Sequence, residues 1–419
     1  MDTNCFKRTK IACFFSYPSI SVVFVLPPVL FYIFRQLYGI SYTQVGTLVL
    51  INFITQMSID LIFTFFSRFF NLHKTVRLMP LITAAGLIVY ALVPLLFPQH
   101  AYLGLLAGTV IFSVSAGLCE VLLSPTIAAL PSCNPEKDMS MLHSLYGYGA
   151  AGTVLFSTVF LHVFGNESWI YLTLLLVILP VISSILFFLS PLPDIRISHE
   201  PAKQGAKKNR IGISLCAVCI FLGGATENIM TNWISVFTES ALQVPKMIGD
   251  ALGLACFMLL LAFTRTLYAK HGKNIFSALL AGMAGALVCY VAAALSTSTV
   301  ISVLACMLTG ICASMLWPGT LILMEEQLPN PGIAAYALMA ACGDFGSSLA
   351  PQGLGILVDA VAASTWASGL ERTLSLSAEQ IAMKVGMLAG AIFPILGLAL
   401  LLYMKKFFSL SLRKNAVRR

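Results

Sequence analysis

Residues 101–130 read AYLGLLAGTVIFSVSAGLCEVLLSPTIAAL, an unbroken apolar run whose single charge is Glu120. A helix needs about 20 mostly apolar residues to cross roughly 30 Å of hydrocarbon, and this run exceeds that length. A barrel strand would instead be about 10 residues of alternating character. The lone carboxylate is informative, because a charge at the bilayer centre costs at least ~2.5 kcal/mol and must face a cavity or a partner. This stretch therefore predicts a membrane helix with one chemically active face.

Working outward, similar runs recur along all 419 residues. They are centred on 11–36, 43–68, 77–97, 101–130, 139–165, 168–190, 211–239, 247–269, 275–297, 299–324, 332–360 and 382–404. The chain is 58% hydrophobic and 10% charged, where a soluble domain carries roughly 25% charged residues to wet its surface. The expectation is an all-α polytopic protein of twelve transmembrane helices, with the lipid bilayer as its solvent.

The formal net charge of +8 raises a nucleic-acid reading, which the placement of the charges removes. With the N-terminus in the cytoplasm, most of the 25 basic residues fall on inner segments, leaving Arg35, Lys246, Arg372 and Lys384 outside. Such a bias places both termini in the cytoplasm and accounts for the surplus without a polyanion. The eleven cysteines are scattered, and Cys216 to Cys219, the one Cys-x-x-Cys pair, lies in an apolar run without acid or His, so it reads as packing. The first apolar run follows a basic start but is too long for a signal peptide and lacks a small-residue cleavage site. Asn166-Glu167-Ser168 is formally a glycosylation sequon, set in a turn too close to the membrane for use.

Apart from 361–381, the longest connection is the basic segment 191–210. It divides the chain into residues 1–190, a linker at 191–210, residues 211–404 and a basic tail at 405–419. The halves echo each other: Leu123-Ser124-Pro125 answers Leu316-Trp317-Pro318, and Tyr146-Gly147-Tyr148-Gly149 answers Cys342-Gly343-Asp344-Phe345-Gly346. Internal symmetry of this kind is a mark of transporters, whose substrate site lies between the repeats near the midplane. Every third helix (78–97, 168–190, 275–297 and 385–404) lacks Asp, Glu, Lys and Arg, whereas acids fall at Asp60, Glu120, Glu227 and Asp344. The acid-free helices are expected to face lipid and the rest to surround a polar path.

The six-plus-six division with this rhythm resembles the major facilitator superfamily. Several stretches resemble its fucose-permease-like or sugar-transporter-like bacterial branch. They are Tyr38-Gly39-Ile40-Ser41 with Gln44-Val45-Gly46, Asn52-Phe53-Ile54-Thr55-Gln56 leading to Asp60, and Leu142-His143-Ser144 with Tyr146. Gly224-Ala225-Thr226-Glu227 through Trp233, and Trp317-Pro318-Gly319-Thr320, complete the set. The resemblance implies two pseudo-symmetric six-helix bundles, alternating access and a single-chain carrier in a bacterial inner membrane. Two departures stand out. Arg68 and Asn71 replace the Asp and second Gly of the superfamily's loop after helix 2, while Lys270-His271-Gly272-Lys273 keeps more of that pattern. Helix 5 carries Gly147, Gly149 and Gly152 but no proline beside them, unlike drug antiporters, which favours uptake over efflux.

Glu120 is the candidate proton-coupling residue. It shares a helical face with Ser124, and an acid in a water-poor path is suited to carry a proton. The resemblance agrees, since related symporters have an acid on helix 4, although they also have one on helix 1 that this chain lacks. A substrate contact, or a structural acid satisfied by hydroxyls or His143, are the alternatives. Candidate substrate contacts are Asn52, Gln56, Tyr146, Glu227, Asn228, Asn232, Trp317, Asp344 and Gln352, several of them on stripes spaced four residues apart. Amide-rich stripes also serve as interhelical glue, so lining and packing both remain open for them. Asp60, His143 and Arg265 are candidates for gating. No phosphate loop, paired metal ligands or nucleophile elbow occurs, so neither enzyme activity nor a cofactor nor a bound metal is expected. The expected function is proton-coupled uptake of a small polar solute, a sugar first. The alternatives are an efflux antiporter of the same fold, and further off a membrane sensor.

Overall fold

Eleven helices are long and apolar enough to cross a membrane in the computed structural model, which describes residues 6–66, 69–131, 135–193, 207–328 and 333–416. The spans are α1 (Lys7–Tyr38), α2 (Tyr42–Phe63), α3 (Leu72–Leu96), α4 (Pro98–Ala128), α5 (Met141–Phe164) and α6 (Asn166–Phe188). They continue with α7 (Arg210–Ala241), α8 (Lys246–His271), α9 (Ile275–Leu295), α10 (Thr299–Gln327), α11 (Ala335–Ala362) and α12 (Ala378–Phe408). α11 qualifies as a twelfth span together with a short helix, Thr365–Leu374, bent from it by 76°. No strand occurs among the described residues, and the expected twelve-helix all-α class is what the chain forms.

Two details differ from the sequence reading. The connection at 361–381 is not a loop throughout. Ser364 accepts from the Ala367 N–H at 3.2 Å and starts the short helix, which ends at Ser375 with φ 52°. A Ser N-cap satisfies one of the donors that a helix start leaves orphaned, which is why a helix forms there. The final helix also runs on past 404, to Ala416, because Lys405 and Lys406 are good helix formers and no Gly or Pro intervenes. Most of the expected linker at 191–210 lies outside the described residues.

Burial sharpens the three-helix rhythm. The first members of each triplet, α1, α4, α7 and α10, are the most enclosed, at 78%, 61%, 61% and 56% of their central windows. α9 and α12 are the least, at 33% and 39%, whereas α3, at 50%, is no less enclosed than α2 or α5 at 44%. The echoed glycines also do equivalent work in packing. Gly149 of α5 lies against Pro18 of α1, and Gly346 of α11 lies against the Phe221 backbone of α7. A side chain at either position would collide with the neighbouring helix. Successive spans alternate in direction, so both ends of the described chain lie on one face, here the terminal face, opposite a distal face.

Candidate functional site: a central cavity

Four helices meet around a narrow cavity whose lining includes Phe24 and Pro27 of α1, Asn52 of α2, Thr109 and Phe112 of α4, and Asn232 of α7. Pro27 and Pro28 lie inside α1 beside it, where unpaired backbone is tolerated because protein covers it. The two amides are held in place. Asn52 Oδ1 accepts from Ser113 at 2.6 Å and from Gln56 at 2.9 Å, while Asn232 donates to the Asn228 carbonyl at 2.9 Å. Asn228 in turn donates to Ser347 of α11 at 2.8 Å. Asn52 and Asn232 therefore line the cavity, whereas Gln56 and Asn228 stand behind them and fix their geometry.

Thr109, Ser113, Glu120 and Ser124 fall on one face of α4, at offsets of 0, 4, 11 and 15 residues. Thr109 marks that face as the inward one, so Glu120 points along the same path, about 16 Å nearer the terminal face at 1.5 Å per residue. Its side chain is solvent-exposed. Around it stand Tyr17 of α1 and Tyr146 of α5, both within electrostatic reach. His143 lies beyond, exposed, with Nδ1 3.4 Å from the Tyr17 hydroxyl and Nε2 3.5 Å from Ser124. The polar chain Glu120, Ser124, His143 and Tyr17 thus leads from the interior toward the terminal face.

The second acid is clamped. Arg265 of α8 donates through Nη2 to both oxygens of Glu227, at 3.1 and 3.0 Å, and through Nε to the Ser314 carbonyl at 2.8 Å. Pro318 explains that carbonyl. A proline lacks an N–H and its ring clashes with the carbonyl four residues back, which here is Ser314, and α10 loosens into a turn at Ser314–Met315. Arg265 fills the vacancy. Tyr146, packed edge-on against Phe24 at 5.6 Å, is within electrostatic reach of Glu227, Arg265 and Glu120, so it stands between the acids of the two halves.

The remaining candidates are placed elsewhere. The Trp317 ring lies against Gly343 and Gly224, wedging α10 between α7 and α11 rather than facing the cavity. Gln352 lies against Gly46 at the α2–α11 contact, and Asp60 and Asp344 face each other lower in that contact.

Sequence reasoning missed the closure of the distal face. Asp359 of α11 accepts from the Tyr42 and Thr43 N–H groups at 3.1 and 2.6 Å. Glu379 of α12 accepts from Arg35 at 3.0 Å and from the Tyr42 hydroxyl, and Arg35 covers the Tyr42 ring. Lys246 donates to the Val29 carbonyl of α1 at 2.6 Å while paired with Asp250 at 2.9 Å, and Thr158 of α5 donates to Asp250 at 3.4 Å. All of these but the Arg35–Tyr42 and Lys246–Asp250 contacts join the first six spans to the last six. Asp250 is buried, and its partner Thr158 lies on α5, more than 90 residues earlier, which nothing local in the sequence announces.

Comparison with solved structures places this arrangement. A bacterial homolog to the human lysosomal transporter Spinster, inward-facing and occupied, superposes with TM-score 0.76 at 14% identity over 95% of this chain and 96% of the other. The D-xylose-proton symporter gives 0.71 at 13% identity over 92% and 96%, and the E. coli fucose:proton symporter gives 0.56 at 12% over 94% and 99%. At such identities the likeness is one of fold. No curated protein matches the chain by sequence. Residues 11–351 match the family pattern described as Major Facilitator Superfamily. That match covers most of the chain and places this protein in the Major Facilitator Superfamily.

Proposed function

We propose that this carrier is a secondary active transporter that imports a small polar solute, a sugar, together with protons by alternating access. The observation that carries the reading is Glu120, a solvent-exposed acid deep among the spans, on the cavity face of α4 and aligned with Thr109 and Ser113. Glu120 takes the coupling proton. Asn52 and Asn232 contact the solute, each an amide that both donates and accepts, as a polyhydroxyl ligand requires. Tyr146 relays solute binding between Glu120 and the Glu227–Arg265 pair. Sugar–proton symporters among the similar structures support the solute class.

The basic surplus orients the terminal face toward the cytoplasm of a bacterial cell membrane, so the described conformation is closed outside and reaches Glu120 from inside. The chain works as a monomer, with the two halves 1–190 and 211–404 rocking about the cavity. Glu120→Gln in proteoliposomes is the test. Uphill solute accumulation driven by an imposed proton gradient disappears while solute counterflow persists, and undiminished uphill accumulation overturns the coupling role.

A further inference from the structure

Glu120 is reachable by water, but two other acids are not. Asp60 of α2 is 7% exposed and Asp344 of α11 is 4% exposed, and their carboxyls face each other across the contact between the halves. Both Asp60 oxygens and Oδ2 of Asp344 receive no N–H or O–H from any described residue. Toward the distal face, away from the pair, the helices that carry them are packed closely. Gly46 lies against the backbone of Gln352, and Gly355 against the Tyr42 carbonyl. Two ionised carboxylates cannot persist in such contact without a cation, whereas a carboxyl and a carboxylate sharing one proton form a strong O–H···O⁻ bond.

Among the described residues, no basic side chain forms an ion pair with Asp60 or Asp344. Glu120 of α4 reaches the pair and adds negative charge. On α7, Glu227 is held by Arg265. On α12, Lys384 donates to the Ala294 and Ser296 carbonyls, and Glu379 engages Arg35. On α10, Glu325 accepts from Tyr336 of α11. Asp359, on α11 itself, caps the start of α2. The remaining charges on the short helix, Glu371 and Arg372, lie at the distal end of α11.

We propose that Asp60 and Asp344 form a second proton-binding site, a shared-proton carboxyl pair that latches α2 to α11 when loaded and releases them when both acids ionise. The site lies within two turns of the end of α2, on the terminal-face side of the cavity. The exposed Glu120 lies within electrostatic reach of the pair. The latch goes beyond the coupling role given to Glu120 and stands without it.

Hydrogen–deuterium exchange on the purified full-length protein in nanodiscs tests the site. Peptides covering 50–63 and 335–350 are compared at pH 5.5 and 8.5, after correction for intrinsic exchange rates. In the wild type, protection falls about tenfold or more at the higher pH as the latch opens. Asp60→Asn and Asp344→Asn each hold the contact at both pH values, because the amide donates to the remaining carboxylate, so the pH response is lost. Glu120→Gln keeps the response whatever becomes of uphill uptake, which separates failure of the latch from failure of the coupling assignment. Equal wild-type protection at the two pH values, or an unchanged response in Asp60→Asn, overturns the proposal. Restoration of protection at pH 8.5 by sodium in place of choline also overturns it, in favour of a metal cation.

Discussion

Arg265 illustrates how one residue ties chemistry to backbone. The sequence singles out Glu227 and Arg265 separately, one for solute and one for gating, and places Trp317 among the substrate contacts. The pairing of the first two depends on Pro318 freeing the Ser314 carbonyl, which becomes visible only once α8 and α10 are side by side. Trp317 was legible as special but not in its role, because the glycines that accept its ring, Gly224 and Gly343, are remote in sequence. Removing one partner from an enclosed ion pair leaves an uncompensated charge, which costs about 3–5 kcal/mol when burial is complete. Here the side chains remain 28% and 17% exposed, so the expected loss for Arg265→Ala is smaller, roughly 2 kcal/mol. Thermal unfolding in detergent reads it, and the double change Arg265→Ala with Glu227→Gln recovers most of the loss. A double variant no more stable than the single one contradicts the pairing.

The start of α2 shows the same logic for an element. A helix leaves its first four N–H groups without intrahelical partners. Ser41 and Gln44 settle part of this locally, with Ser41 Oγ accepting from Gln44 N at 3.2 Å and the Gln44 side chain accepting from Ser41 N at 2.9 Å. That reciprocal box can be read from the local sequence. The N–H groups of Tyr42 and Thr43 are satisfied by Asp359, more than 300 residues away, which nothing local announces. This cap exists only while the distal ends of α2 and α11 are together. Losing an N-cap costs typically about 1 kcal/mol, or about fivefold in a population ratio. Asp359→Ala is therefore expected to raise labelling at a cysteine introduced at position 44 by a thiol reagent added from the distal side, by about that factor. Unaltered labelling would show that the cap does not bias the opening.

At the scale of the molecule, the sequence conveys the twelve-helix all-α class, because that depends on hydrophobic run length alone. It does not convey the closure of the distal face. Arg35, Lys246, Asp250, Asp359 and Glu379 sit at span ends, where charges ordinarily mean solvated turns. Their partners are supplied by the opposite half. Those cross-half contacts, with the close packing of α2 on α11 and of α5 on α8, make the interface extensive enough to form without a covalent link. Co-expression of 1–200 and 201–419 as separate chains is expected to give a complex that co-purifies and transports, with neither piece recovered well alone. Failure of the two pieces to associate would show that the connection between them is required for assembly.

The closure has an asymmetry with a consequence for how such a protein drifts in evolution. Asp359 and Lys246, on the second half, grip backbone groups of the first: the N–H of Tyr42 and Thr43 and the carbonyl of Val29. A main-chain group offers the same contact whatever side chain it carries. Position 43 is therefore free to change to any residue except proline, which would delete the N–H, while 359 and 246 are tied to their charges. For these two grips, unlike the Arg35–Glu379 pair, related sequences would record the contact on one side only. A search for paired changes between the halves would pass over it, since a backbone has no identity to covary.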